Sequence, residues 1–384
     1  MVQYSTPKRV IATTLFFILL TLQAFIGHRY YDADTAVTSS GYPSDTSLNL
    51  TAAVKPHSPD ATADNEYLRY IPHSTIEMWR ERDYLIVFGI PSVDISTRRR
   101  RRDLQRTTCW QFPGVARRAN NFTGAMLVLY VLARHPSHGY KHSAALVDEA
   151  DEYHDIITLP MNDALPTTKK TIGGGGFWGT EAEISMSRKT YFWLELALRV
   201  FPNVNYIAKG DDDMFLRVPQ FLADLHTLPR RRVYWGMPLG WSVRKRRINY
   251  RFRYAAGMCY TLSRDVVQQF VSYKPLQRLV EMPYSKMREP KFLSLNMQDE
   301  DKVVGQVLRV EQRHHHSIFV GAAPCSFHDI LNDTGHYSVT WRSVVIHHLR
   351  EDDYGKLMER FGNDTTHSSR LEMVRGRGYI QFVC

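Results

Sequence analysis

The sequence predicts an α/β protein, a mixed central sheet flanked by helices, behind a single N-terminal membrane anchor. Three observations predict it. From Tyr84 onward, apolar runs of strand length alternate with segments of helical period. One of those runs, residues 204–209, aims at three consecutive aspartates. A stretch of 17 residues, 10–26, carries no charge and is just long enough to span a bilayer.

The anchor comes first. Lys8 and Arg9 precede it, and the flank after it (HRYYD) is less basic. The positive-inside rule then keeps residues 1–9 in the cytosol and sends the rest to the lumen. No Ala-x-Ala site follows Ile26, which speaks against a cleaved signal peptide. Residues 27–78 are rich in Thr, Ser, Asp, Ala and Pro without a sustained period, so they are expected to form a stem. Residues 79–384 are expected to be one lumenal catalytic domain. Sequons at Asn49, Asn121, Asn332 and Asn363 fit that side of the membrane. In an oxidising lumen Cys109, Cys259, Cys325 and Cys384 allow three pairings, and spacing does not choose among them.

Within the domain, residues 84–91 (YLIVFGIP) read as a buried first strand and residues 98–110 as a basic helix. Residues 125–132 and 155–159 are the next strands, with a helix at 145–153 between them. The four glycines 173–176 lack a following Gly-Lys-Ser/Thr, so they predict a hinge or lid base rather than a phosphate loop. Residues 185–200 carry apolar side chains at helical spacing before a Phe-Pro-Asn stop. Strands are predicted at 204–209, 232–236 and within 254–263, and a helix opens at the acidic run 298–301 and runs to Val310.

Composition limits the function. The 384 residues hold 49 Lys+Arg against 39 Asp+Glu, a net charge of +10, and 43% are hydrophobic. Such a chain can bury a sizeable core, which excludes wholesale disorder. Four cysteines without a Cys-x-x-Cys pair exclude a small disulfide scaffold and a cysteine zinc module. A single apolar run excludes a multi-span transporter. The basic clusters 98–102, 230–232 and 244–247 come without a zinc finger or an RNA-binding aromatic motif, so nucleic acid is not the expected partner. Solvated loop charge is their plain reading, and a phosphate-bearing small substrate is the functional one. His314–His316 cannot easily share one tetrahedral ion, because they are consecutive.

Asp211–Asp213 carry the chemistry. Adjacent carboxylates repel one another and favour a cation. Asp211 and Asp213 point the same way along an extended segment and could hold one hard divalent ion against a diphosphate. They also follow a strand, where ligands of α/β sheets bind. The run Gln298–Asp301 is a second acidic cluster. Its carboxylates either complement a helix dipole or poise one base on an acceptor hydroxyl.

The order of Phe88-Gly89-Ile90-Pro91-Ser92, Arg101-Arg102 with Arg106-Thr107, Lys209–Phe215, Tyr254–Ser263 and Glu300–Gly305 resembles glycosyltransferase family 31. These are β-1,3-galactosyl- and N-acetylglucosaminyltransferases, with the fringe enzymes as relatives. The resemblance covers about three quarters of the chain. It implies a GT-A fold, Mn²⁺, inversion at the anomeric carbon, and a UDP-Gal or UDP-GlcNAc donor. The implied acceptor is a glycan on glycoprotein or glycolipid, and the implied place is the Golgi membrane with type II topology. By the same resemblance Asp211, Asp213 and His347 hold the metal, and Asp301 is the catalytic base. Phe88, Ile90, Arg106, Asp211 and Asp212 bind the donor, and Trp235 and Gly236 lie toward the acceptor. The chain departs from the family at Cys109, in the five-arginine run, at 173–178 and after Asp301. A glycosidase would also use two carboxylates but needs no metal triplet. An inactive lumenal carbohydrate-binding protein would not need Asp301.

Overall fold

A computed structural model describes residues 66–245, 247–311, 317–330, 338–363, 366–374 and 378–383. The expected anchor at 10–26, the cytosolic tail, most of the stem, Asn49, Asn332, His314–His316 and Cys384 lie outside the described residues. Among the described residues no helix is long and apolar enough to cross a membrane.

The chain enters through α1 (His73–Glu81) and β1 (Ile86–Pro91), followed by α2 (Ser96–Thr107). Next come β2 (Val115–Ala116), β3 (Met126–Arg134), α3 (Ala144–Tyr153) and β4 (Ile156–Asn162). The long helix α4 (Thr180–Val200) leads to β5 (Tyr206–Gly210), β6 (Phe215–Leu216) and α5 (Val218–Thr227). A hairpin of β7 (Val233–Lys245) and β8 (Ile248–Ser263) precedes α6 (Arg264–Val271), α7 (Lys274–Glu281), α8 (Glu289–Leu293) and α9 (Glu300–Gln306). The rest is β9 (Ile318–Ala322), β10 (Phe327–Asp329), β11 (Val345–His347), α10 (Glu351–Phe361), β12 (Arg370–Val374) and β13 (Tyr379–Val383).

Ten strands form one mixed sheet in the order β12-β13-β9-β7-β8-β5-β1-β3-β2, with β4 also on β3. β1 lies between β3 and β5, parallel to both, and β8 joins β5 antiparallel. A strand buried on both faces must be apolar throughout, and every residue of β1 is buried. Its alternate side chains feed two cores. Val87 packs with Trp193 and Leu194 of α4 on one face, while Ile86, Phe88 and Ile90 pack with Phe221 of α5 and Tyr354 of α10 on the other. Gly89 is where α4 presses on the sheet. A Cβ there would lie 2.1 Å from Trp193 Cε2, and the same indole donates Nε1–H to Ala208 O at 2.9 Å. A small sheet, β10-β11-β6, lies beside the large one and carries the late histidines.

The structure corrects three local expectations. Residues 66–78 belong to the folded unit rather than to the stem, because Tyr67, Leu68, Ile71 and Ile76 are buried with Trp79 in one core cluster. Their few apolar groups sit among charged ones, so composition hides them until Trp79 meets Phe122 and Phe201 at ring-centroid distances of 5.7 and 5.9 Å. α4 starts at Thr180, five residues before the expected 185. The β7–β8 hairpin runs far beyond residue 236: Pro238–Lys245 pairs with Ile248–Ala255, and the alternating Leu239, Val243, Tyr250, Phe252 and Tyr254 pack in one cluster.

Candidate active site

The candidate site lies where β1 and β5 end, at the carboxyl edge of the parallel strands. Asp211–Asp213 leave β5 directly. The Asp211 N–H donates to Met258 O at 3.2 Å, which holds the triplet against β8. A pocket of about 340 Å³ opens there, lined by the triplet, Asp299–Asp301, His347 and His348, among others.

The three aspartates have three different environments. Asp212 turns to the back of the site, accepting from Ser92 Oγ at 2.7 Å and pairing with Arg98. Asp211 and Asp213 converge on one imidazole. His347 Nε2 is 3.2 Å from Asp211 Oδ2 and 3.0 Å from Asp213 Oδ1. Burial opposes charge on His347, but Asp213, Asp211 and Asp329 hold its pKa well above the ordinary histidine value. Burial likewise works to raise the pKa of Asp211; Lys209 and His347 overcome it and hold the carboxyl well below its usual range. The same contest, won chiefly by His347, leaves Asp213 at about 2.

This donor set fits a divalent cation. A carboxylate oxygen of Asp211 and one of Asp213 each face His347 Nε2, and carboxylate oxygens with imidazole nitrogen are donors that such an ion takes. Asp329 Oδ1 sits 2.7 Å from His347 Nδ1, the arrangement that fixes the ring and directs Nε2 at its partners. The same oxygen lies 2.8 Å from His348 Nδ1. His348 can contribute too, since ligand atoms of Asp213, His347 and His348 all lie within 4.8 Å of one another.

The second acidic cluster forms the opposite wall. Lys209, 2% exposed, joins the two clusters: its ammonium lies 2.6 Å from Asp211 Oδ1, 2.8 Å from Glu300 Oε2 and 2.7 Å from Gly257 O. Glu300 is thereby occupied, and Tyr260 donates its hydroxyl to it as well. Asp301 has a poorer set of partners. Among the described residues its carboxylate accepts only the Gly257 N–H, at 3.1 Å. Burial, then the charges of Glu300 and Asp299, push its pKa up to about 7. A carboxyl that titrates there can take a proton at neutral pH.

The structure brings together Asp211, Asp213 and His347, with Asp301 across the same pocket. Asp212 lines the same pocket, whereas Phe88, Ile90, Arg106, Trp235 and Gly236 do not. Phe88 and Ile90 are fully buried on the face of β1 that packs with Phe221 and Tyr354. Arg106 is held at a distance by Asp155, at 2.8 Å, and Glu149, at 2.7 Å. Arg98, from the same helix, is the arginine that reaches the triplet. Trp235 is buried and stacked on Phe221, with ring centroids 4.9 Å apart. Gly173 is not a free hinge: its N–H donates to Asp213 Oδ2 at 3.1 Å. Asp329 escaped sequence reading because it is a lone acid in an ordinary segment. Of the cysteines, Cys109 and Cys259 are free and buried, and Cys325 is disulfide-bonded.

No protein-family model and no curated protein matches the chain. Solved structures similar to it include the crystal structure of a glycosyltransferase involved in the glycosylation of the major capsid of PBCV-1. The TM-score is 0.32 and the identity 9%, over 72% of this chain and 99% of that one. A likeness that loose leaves function to be argued from the residues themselves.

Proposed function

We propose that this chain is a metal-dependent inverting glycosyltransferase that moves galactose or N-acetylglucosamine from a UDP-sugar to a glycan hydroxyl, forming a β-1,3 linkage. One observation carries the reading. A single pocket sets Asp211 and Asp213, both facing His347, on one wall and Asp301, whose carboxylate accepts only the Gly257 N–H among the described residues, on the other. The motif order shared with glycosyltransferase family 31 supports it.

In this reading Asp211, Asp213 and His347 hold Mn²⁺, which when bound supplies Lewis acidity to the departing diphosphate. Asp329 keeps the His347 ring oriented. Lys209 bridges Asp211 and Glu300 with its ammonium and so occupies both carboxylates. Asp301 accepts the proton of the acceptor hydroxyl as that oxygen bonds to the anomeric carbon. The bond from that carbon to the UDP oxygen breaks on the opposite face, which inverts the centre. One displacement needs one base and no covalent nucleophile. The N-terminal anchor, type II topology and Golgi location belong to the same proposal.

The test is transfer by the full chain with a panel of UDP-sugars and Mn²⁺. We expect UDP release with UDP-Gal or UDP-GlcNAc that needs a glycan acceptor and stops with EDTA. A chain that releases UDP from no donor, or does so equally with EDTA, overturns the proposal.

A further inference from the structure

Building on that reading, we propose that Lys170, carried by the glycine-rich loop between β4 and α4, binds the diphosphate of the donor. A nucleoside diphosphate entering this pocket meets a wall dominated by carboxylates, so its binding depends on the cations within reach. Besides His347 and His348, which belong to the metal-type cluster, three basic side chains line the pocket, Arg98, Lys170 and Lys209. Lys209 is saturated by Asp211, Glu300 and the Gly257 carbonyl. Arg98 is paired with Asp212. Lys170, half-buried, forms no close ion pair among the described residues, and Glu183 is the carboxylate that feels its charge. Lys170 is the lining ammonium with donors to spare.

Its position is built. Gly173 bonds to Asp213 Oδ2 at 3.1 Å, Thr167 N–H donates to Trp178 O at 2.8 Å, and Trp178 N–H donates to Glu183 Oε1 at 2.9 Å. The loop is thus tied at one point to the metal-type cluster and at another to the start of α4. Gly173 makes the close approach possible. Its φ is +73°, and a Cβ would lie 2.8 Å from Leu349 O. The indole of Trp178 then spaces two cations, with Lys170 Nζ 4.8 Å and Arg98 Cζ 5.3 Å from its ring. This contact holds the ammonium at the pocket without a close ion pair, so its donors stay open to an anion. The glycine run therefore serves to bring Lys170 onto the site, although it has no phosphate-loop sequence.

The test compares UDP with uridine on the full chain in Mn²⁺, by calorimetry for UDP and saturation-transfer NMR for uridine. Lys170→Gln is expected to weaken UDP binding roughly tenfold or more, since a charge-assisted contact is lost, and to leave uridine binding unchanged. Lys170→Arg should recover most of the UDP affinity, because charge rather than shape is required. Equal UDP affinity in Lys170→Gln and wild type overturns the inference, as does an equal loss for UDP and uridine. Wild-type protein that binds uridine and UDP equally overturns it too. Wild-type protein that binds neither overturns the glycosyltransferase reading, and this inference with it.

Discussion

Where Arg102 and Arg106 of α2 meet Glu149 and Asp155, each buried charge faces an opposite one, whereas the pocket at the end of β5 leaves charges of like sign facing each other. Arg102 grips Glu149 with Nε and Nη2 at 2.7 and 2.6 Å, and Arg106 grips Asp155 at 2.9 and 2.8 Å while also reaching Glu149. Tyr153 and Tyr130 lie under the Arg106 guanidinium at 4.1 and 4.7 Å. Burial works to raise the pKa of Glu149, and the two guanidiniums overcome it and hold it below the ordinary value. At Asp301 burial and the neighbouring acids act together, and the pKa rises. Both regions are buried clusters of ionisable groups. The difference teaches that satisfied charge fixes a fold, while unsatisfied charge is available for chemistry.

The comparison breaks most sharply at Asp301. Asp301→Asn keeps the shape and removes the basicity, so transfer should fall by about two to four orders of magnitude. UDP affinity should stay near wild type and the protein should remain folded, because the carboxylate acts on the acceptor proton only as the transition state forms. Steady-state kinetics beside calorimetry reads both. Near-normal turnover in Asp301→Asn with an inactive Glu300→Gln would move the role to the adjacent carboxylate.

The mirror experiment is Glu149→Gln. It leaves Arg102 buried without its charged partner, and breaking such a pair costs about 3–5 kcal/mol. Urea denaturation should show that loss. A stable Glu149→Gln protein would mean that the network does not hold the fold.

A smaller effect concerns pH. The carboxyl of Asp301 keeps its proton up to about 7 when folded, but releases it near 3.9 when unfolded. The native state therefore binds more protons across that window, and stability contributed by Asp301 falls as pH rises through it. Activity runs the other way, with kcat/KM rising roughly tenfold per pH unit below about 7 and then levelling. Asp301→Asn should flatten both profiles. A wild-type profile that is flat between pH 5 and 8 would contradict the assignment of the base.

The smallest expected change sharpens the comparison from outside both clusters. Arg100 pairs with Glu351 at 3.3 Å, with the two side chains 60% and 50% exposed. Exposed pairs contribute about 0–1 kcal/mol, so Arg100→Ala should shift the unfolding midpoint little. A loss as large as that of Glu149→Gln would show that the whole arginine run acts as one unit.

Much of the fold was legible because its elements are local and strongly patterned. Residues 84–91 and 125–132 are apolar enough to be buried strands in any arrangement, and the structure gives β1 and β3 there. The triplet was legible for the same reason: three adjacent carboxylates after a strand are unusual in any setting. The hairpin strands 238–253 were missed although Leu239, Trp241 and Val243, and Ile248, Tyr250 and Phe252, alternate with small or polar residues, because the basic residues at 244–247 read as solvated loop charge and masked the strand pair. Residues 66–78 were not legible, because their burial depends on partners such as Phe122 and Phe201, more than 40 positions along the chain.

The sequence by itself determined the alternation of strand and helix, the placing of Asp211–Asp213 at a strand end and the second acidic run beside Asp301. Only the tertiary structure decided which ionisable groups are free. Five consecutive arginines look alike as a string, yet Arg98 faces Asp212, Arg101 donates to the Leu349 carbonyl and Arg102 closes on Glu149. Each partner lies on a different element, so spacing along α2 cannot assign it. The same holds for His347, which meets Asp211, Asp213 and Asp329 only because β11 pairs with β6 and β10 in the small sheet. Partnership across elements sets burial and local charge, these set pKa, and pKa decides whether a carboxylate holds the fold together or takes a proton.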